Sequence, residues 1–248
     1  MIFLSDLHLG DGGPADNFGP PGGVAESALA ARIELWQARK ERVGIAGDLL
    51  ELLKFSQKEV LKAHGSLIEQ LLGLADFYVA GNHDEELQGQ KFMGLRVEPY
   101  VVFDLGSGIT DLRAAGRAGD RGSASIPRPP PPAPCRIYCE HGHRHDPLLR
   151  RWRRTSEAIV KVSAWAEEHV NPDIDLWADR LVSWIGGTGR HGDNERYTPY
   201  IVSWARAYRC NVAVFGHTHW VMNFRRFGRV RVYNTGTWIN GRRDYVHI

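Results

Sequence analysis

An α/β fold with helices outside packed β-sheets is predicted for this 248-residue chain. Three observations predict it. Short apolar runs rich in β-branched and aromatic residues end in Gly, Asp or Asn, amphipathic stretches separate the early runs, and further strand-like runs follow late in the chain. The strand readings are Ile2–Leu4, Val43–Ala46, Phe77–Ala80, Tyr100–Leu105, Arg136–Cys139, Asn211–Phe215 and Arg229–Tyr233. A helix is predicted over Val24–Lys40, with Ala28, Leu29, Ile33 and Trp36 on one side and charges opposite. A second is predicted over Ser56–Leu74, where Val60, Leu61, His64, Leu67, Ile68 and Leu71 recur at three-to-four spacing. Ser56 with Glu59 three residues on forms a capping box at its start. His64, among Leu and Ile, reads as structural, and so does His247 at the tail.

Apolar residues make up 43% of the chain, enough for a buried core, and the length suits one large domain, here 1–248, with insertions. No run approaches 18 uninterrupted apolar residues, so no membrane-spanning helix is expected. The opening MIFLSD is too short for a signal peptide, which makes the cytoplasm the expected location. Cys135, Cys139 and Cys210 are odd in number and lack zinc-site spacing, so free thiols are expected. The formal net charge of +2 excludes no class of partner.

Two segments depart from a compact core. Residues 107–134 contain Pro127, Pro129–Pro132 and Pro134, which no central strand or helix accepts, so a proline-rich loop is expected. Residues 147–209 carry three helical patterns (Leu148–His169, Ile174–Ile185 and Tyr197–Tyr208) and five of the eight tryptophans. A helical insertion is expected there.

Chemistry concentrates in five motifs: Asp6-Leu-His8, Gly47-Asp48, Gly81-Asn82-His83-Asp84, His141-Gly-His143 and Gly216-His217-Thr-His219. Each is a cluster of oxygen or imidazole donors with glycine beside it, and most end an apolar run. Such donors bind divalent metals, and two adjacent ions need about six or seven of them from separate loops. Gly-Asp alone carries almost no information; two histidines two apart at an apolar strand end rarely arise for packing. The glycines allow sharp turns and close approach of an ion.

The ordered set resembles the calcineurin-like metallophosphoesterase superfamily, over nearly the whole chain from Ser5 to His219. The segments SDLHLG, GDLLEL and NTGTW are similar to one branch, the UDP-2,3-diacylglucosamine pyrophosphatases. The resemblance implies a four-layer αββα sandwich of two mixed sheets, and a helical cap over 147–209 that holds acyl chains. It implies one ion on Asp6, His8 and His219, a second on Asn82, His141 and His217, and Asp48 bridging them. Ions so bridged sit roughly 3.5–4 Å apart and deprotonate a bound water that attacks phosphorus in line. His83 is implied as the group that serves the leaving oxygen, with Asp84 orienting its ring. The branch pattern selects His141 as the ligand; the residues of Glu140–Asp146 alone also leave His143 and His145 open. Mn²⁺ is the leading expectation, with Fe²⁺ or Zn²⁺ equally suited to these donors.

Arg144, Arg150, Arg151 and Arg153 are candidate substrate-binding residues, since guanidinium forks pair with phosphate oxygens. They would suit a diphosphate, an anionic lipid or a nucleic-acid backbone, or simply form a solvated face. Arg225–Arg231 alternates along a hairpin and reads as solvated. Tryptophan- and arginine-rich helices would also suit contact with the inner face of a membrane. The expected activity is hydrolysis of a P–O bond, with a nucleotide-sugar or lipid pyrophosphate as leading substrate and a general phosphodiester or nucleic acid as the alternative. A non-catalytic scaffold on the same fold is disfavoured because all seven ligand positions and His83 are present.

Overall fold

A computed structural model describes residues 1–105, 108–109, 135–146 and 190–248. The strands are β1 (Ile2–Leu4), β2 (Val43–Ala46), β3 (Ala75–Val79), β4 (Lys91–Phe92), β5 (Leu95–Glu98) and β6 (Val101–Asp104), followed by β7 (Gly108–Ile109), β8 (Arg136–Cys139), β9 (Val212–Phe215), β10 (Met222–Phe227), β11 (Val230–Asn234) and β12 (Val246–His247). The helices are α1 (Val24–Ala38), α2 (Gln57–Leu74) and α3 (Arg190–Ala207).

One sheet runs β12-β1-β2-β3-β5-β4 and the other β10-β11-β9-β8-β6-β7. Both mix parallel and antiparallel pairs, and β1, β2, β3, β8 and β9 all lie in parallel runs. Side-chain alternation divides the core into three. Phe3, Ala46, Phe77 and Val79 of the first sheet meet Val101, Phe103, Ile137, Val212 and Val214 of the second. On the other face of the first sheet, Ile2, Leu4 and Ile45 pack with Leu29, Ile33 and Trp36 of α1 and Leu67, Ile68 and Leu71 of α2. Tyr138, Ala213 and Phe215 turn instead to Tyr197, Ile201 and Ala205 of α3. The result is the expected four-layer sandwich.

Helix α2 begins at the predicted capping box, with Ser56 and Glu59 bonded reciprocally. Helix α1 stops at Ala38, short of the predicted Lys40, because Lys40 takes a left-handed φ of 53° that turns the chain back. Two expectations about insertions meet observed structure. β7, inside the range read as a proline-rich loop, pairs antiparallel with β6. The last helix of the range read as a cap is α3, whose buried face completes the core of the second sheet. The other two helical patterns of that range and the proline-rich residues themselves lie outside the described residues. Among the described residues, no helix is long and apolar enough to cross a membrane.

The loop after β1 is fixed by a buried charge cluster. Asp16 accepts hydrogen bonds from the backbone N–H of Gly10, Gly12 and Phe18, at 3.1, 2.8 and 2.9 Å. Its carboxylate also lies 3.0 Å from Nε2 of His64, while Nδ1 of the same ring lies 3.0 Å from Glu26. With a carboxylate at each nitrogen, both nitrogens donate and the ring is a cation. Burial opposes that charge, but Asp16 and Glu26 outweigh it and raise the His64 pKa above its usual 6.5. This stability is therefore full below about pH 6.5 and is lost as pH rises through the higher folded value. His64→Ala, which strands the buried Asp16 carboxylate, is expected to cost about 3–5 kcal/mol. Urea denaturation across pH 5.5–9 checks both points: the wild-type advantage over the variant must shrink with rising pH, and a constant difference would rule out the charged ring.

Candidate metal centre

All five motifs follow the C-terminal ends of parallel strands: Asp6 and His8 after β1, Asp48 after β2, Asn82 to Asp84 after β3, His141 after β8, and His217 and His219 after β9. Strands that leave both sheets in a common direction deliver their loops to one edge, where ligands converge. The loops are also tied to each other. N–H groups of Leu7 and His8 donate to the Asp48 carbonyl at 2.9 and 3.0 Å, and Asp6 N–H donates to Gly47 at 3.0 Å. Asp6, His8, Asp48, His217 and His219 all take positive φ, between 49° and 69°. Asp and His tolerate this region better than most residues, yet it carries strain, and here it swings five side chains out of the strand direction. Two motif glycines are required by crowding: a Cβ on Gly81 would overlap the Asp48 carboxylate, and one on Gly216 would overlap Ser5 and Asp6.

Among the described residues, three overlapping sets of donors lie within 4.8 Å of one another: Asp6 with His8 and His219, Asp6 with Asp48 and His141, and His8 with Asp48 and His83. Nε2 of His219 is 3.2 Å from Asp6 Oδ1 and 3.3 Å from His8 Nε2. Nε2 of His141 is 3.0 Å from Asp48 Oδ2. Asp6 thus stands between His219 and His141, and Asp48 between His8 and His141.

Each carboxylate uses one oxygen to fix itself and turns the other inward. Asp6 Oδ2 accepts from Ser5 Oγ and from His217 N–H at 3.1 Å, while its Oδ1 is buried with no hydrogen bond. Asp48 Oδ1 accepts the His83 N–H at 2.8 Å, leaving Oδ2 to His141. The imidazoles follow the same rule. His8 Nδ1 is held by Glu51 at 2.9 Å, His141 Nδ1 donates to the Ala46 carbonyl at 2.8 Å, and His217 Nε2 faces Asp146 at 3.4 Å. A ring with one nitrogen tethered and the other turned to fellow donors, as His8 Nε2 and His141 Nε2 are, has the arrangement of a metal-ligating histidine. Among the described residues, Asp6 Oδ1, Asn82 Oδ1 and His141 Nε2 are buried without a hydrogen-bond partner, which is what a cation among them would satisfy. The donor set fits two divalent ions.

The electrostatics agree. Burial opposes the Asp6 and Asp48 carboxylates, but the imidazoles of His141, His8 and His219 or His83 hold both pKa values well below the usual range. Burial likewise opposes charge on His141, yet Asp48 and Asp6 raise it to about 9. His8 is also raised, with burial outweighed by Asp6 and Glu51. Divalent ions would displace these protons, so metal uptake releases acid.

The structure revises one expected role. Asp84 does not orient His83: its carboxylate accepts from Gly81 N–H at 2.6 Å, Leu49 N–H at 2.7 Å and the Tyr78 hydroxyl. It clamps the loops after β2 and β3 together. Burial and the neighbouring Asp48 raise its pKa to about 6. The partner of His83 is Glu51, whose Oε1 lies 2.7 Å from His83 Nδ1. Glu51 therefore grips two rings at once, His8 with one oxygen and His83 with the other. Sequence reading missed it, although an acid three residues after Asp48 in the run Leu49-Leu50-Glu51-Leu52 is a signal, since burial needs a partner.

The segment Asn234–Trp238 buttresses the centre from behind. Thr235 bonds Ser5, Thr237 Oγ1 donates to the Asp6 carbonyl at 2.8 Å, and Trp238 N–H donates to the same carbonyl at 3.1 Å. Asn234 donates to Gly216 and Thr218, each at 3.0 Å, and so holds the loop of His217 and His219. His143 and Tyr197 approach His217, with ring centroids 6.4 and 5.6 Å from its own. Burial, with His141 and His217 nearby, pushes His143 down to about 2. Arg144 reaches Gln88 at 2.7 Å; Arg150, Arg151 and Arg153 lie outside the described residues.

The calcineurin-like phosphoesterase family model matches residues 1–221. No curated protein matches the chain. Among solved structures, a conserved protein described as a predicted phosphoesterase from Streptococcus pneumoniae TIGR4 aligns at 13% identity, with 95% of this chain and 71% of that one covered and a TM-score of 0.37. A Vps29 variant from Entamoeba histolytica aligns at 14% identity over 96% of this chain and 74% of its own, with a TM-score of 0.42. Vacuolar protein sorting 29 from Cryptosporidium parvum gives 13%, 95%, 72% and 0.39 in the same terms.

Proposed function

Because the chain belongs to the calcineurin-like phosphoesterase family, we propose that it hydrolyses a P–O bond of a phosphodiester or pyrophosphate at a two-ion centre. The observation that carries this reading is the convergence of Asp6, His8, Asp48, His141 and His219, with inward-facing oxygens and nitrogens. Two divalent ions bound there would supply an acidified water and neutralise charge on the phosphoryl oxygens. The protein's own contribution is positional. Asp48 holds the two halves of the centre together; Asn82, with its free buried oxygen, and His217, backed by Asp146, complete the second half.

His83 stands beside the first half, its ring centroid 4.4 Å from that of His8 and its side chain 18% exposed. With Nδ1–H held on Glu51, Nε2 is the atom that hands a proton to the leaving oxygen when the ring carries two protons, and Glu51 balances the charge of that doubly protonated ring. A non-catalytic scaffold has no use for a buried carboxylate that positions such a ring.

The leading substrate is a nucleotide-sugar or lipid pyrophosphate, resting on the resemblance of SDLHLG, GDLLEL and NTGTW. The alternative is a general phosphodiester or nucleic acid. Mn²⁺-supported turnover of bis-p-nitrophenyl phosphate, UDP-diacylglucosamine and single-stranded DNA separates them, with Asp48→Ala as blank. Hydrolysis of the generic diester is expected in either case. Selective turnover of the lipid nucleotide would establish the pyrophosphatase reading, and turnover of DNA without it would discard that reading. A metal-loaded protein inert toward all three would refute the enzyme.

A further inference from the structure

We propose that His143 is a substrate-contacting residue, which donates a hydrogen bond to a phosphoryl oxygen on the His141 and His217 side of the centre. The assignment rests on the phosphoesterase reading and adds a residue to it. His143 opens the short helical turn His143–His145 just after Gly142, whose φ of 108° reverses the chain. The reversal brings its ring back beside the ligand that precedes the glycine, with centroids 5.5 Å apart for His141 and His143.

His143 is only 8% exposed, and among the described residues neither Nδ1 nor Nε2 has a hydrogen-bond partner. Its neighbours differ sharply. His8 and His83 are held by Glu51, His141 by the Ala46 carbonyl, His145 by Glu140 and His217 by Asp146. A buried imidazole with two unmade hydrogen bonds is costly, and packing alone would be served better by an apolar ring of the same size. Nor does His143 join the donor sets: none of the three groupings of carboxylates and imidazoles within 4.8 Å includes it. What remains is a polar group, kept dry at the rim of an anion-binding centre, that offers an N–H in either tautomer. A phosphoryl oxygen brought in by the ions is the acceptor that fits, and such a preorganised donor strengthens as charge develops in the transition state.

Metal-loaded full-length protein carrying His143→Phe or His143→Gln tests this. For His143→Phe both ions are expected to stay bound, and the thermal midpoint should hold or rise because no hydrogen bond within the protein is lost. Orthophosphate affinity, measured by calorimetry, should fall about tenfold, and turnover of bis-p-nitrophenyl phosphate about 100-fold. His143→Gln, which keeps an N–H donor, should recover part of both. Unchanged phosphate affinity in His143→Phe would overturn the proposal. Loss of one ion would make the residue a ligand instead, and a fall in thermal midpoint shared by both variants would make it structural. If wild-type protein binds phosphate but hydrolyses nothing, the phosphoesterase reading fails, while the phosphate affinities still decide the role of His143.

Discussion

Asp48→Ala is expected to lower hydrolysis of every substrate by about 10⁴-fold or more, and to reduce bound metal from two ions to one or none. The magnitude follows from the geometry. Asp48 Oδ2 lies 3.0 Å from His141 Nε2 and 3.8 Å from His8 Nε2, so one oxygen serves both halves of the centre. On the proposed two-ion reading its removal would separate two cations whose joint stabilisation of the transition state is worth several kcal/mol, and about 5.4 kcal/mol is four powers of ten in rate. The same change frees the His83 N–H, which Asp48 Oδ1 accepts at 2.8 Å. Asp48→Asn separates the two effects, because it keeps that acceptor while removing the charge. Elemental analysis beside steady-state kinetics makes the check; two ions retained with near-normal turnover would sink the bridging role.

Glu51→Gln comes next in size. Glu51 is a buried carboxylate: burial opposes its charge, but the His83 and His8 rings outweigh it and keep its pKa below the usual range. As an acceptor on both oxygens it fixes Nδ1 as the protonated nitrogen of each ring. An amide has one acceptor and one donor, so it satisfies only one ring in that tautomer. If its N–H₂ faces His8, the His8 proton moves to Nε2 and that nitrogen no longer ligates. Metal affinity should fall about 10–100-fold. With saturating metal, turnover should remain about 10²-fold or more below wild type, because His83 loses its held orientation. The discriminating readout is the leaving group. Alkyl esters, which need protonation, should suffer more than p-nitrophenyl esters, which do not. Equal losses for both would mean that Glu51 acts only through the metal.

The sequence exposed the candidate ligands and hid their supports. Asp6, His8, Asp48, Asn82, His141, His217 and His219 are legible because their residue types are unusual at strand ends and recur in a known order. Five strands of the parallel runs are legible for a related reason: strands buried on both faces, such as β2 and β9, read as continuous apolar runs. The β4–β5 hairpin was not. Its two-residue turn, Met93-Gly94, takes φ of 46° and 93°, and an exposed methionine in that conformation gives none of the Asn-Gly signal that marks such turns. β3 begins at Ala75, where α2 ends, so no loop residue marks the change of period. The roles of Glu51 and Asp84 depend on which loop lies against which. Spacing places Asp84 next to His83 in sequence; the fold points it at the backbone of Leu49.

The left-handed backbone at the ligands sets a trap for protein engineering. At positions 6, 8, 48, 217 and 219 glycine would relax the chain, and each such conformation costs a non-glycine residue of order 1–3 kcal/mol. At positions 6, 8 and 48 the buried carboxylate–imidazole pairs of metal-free protein oppose this gain, and at 217, whose buried ring is not so paired with Asp6 or Asp48, the opposition is weakest. A screen that rewards heat resistance alone, run in chelator, would therefore tend to enrich His217→Gly, which discards a candidate ligand, and hardiness and competence would diverge there. Selection in the presence of metal reverses the preference, since only the original side chains gain from the ions.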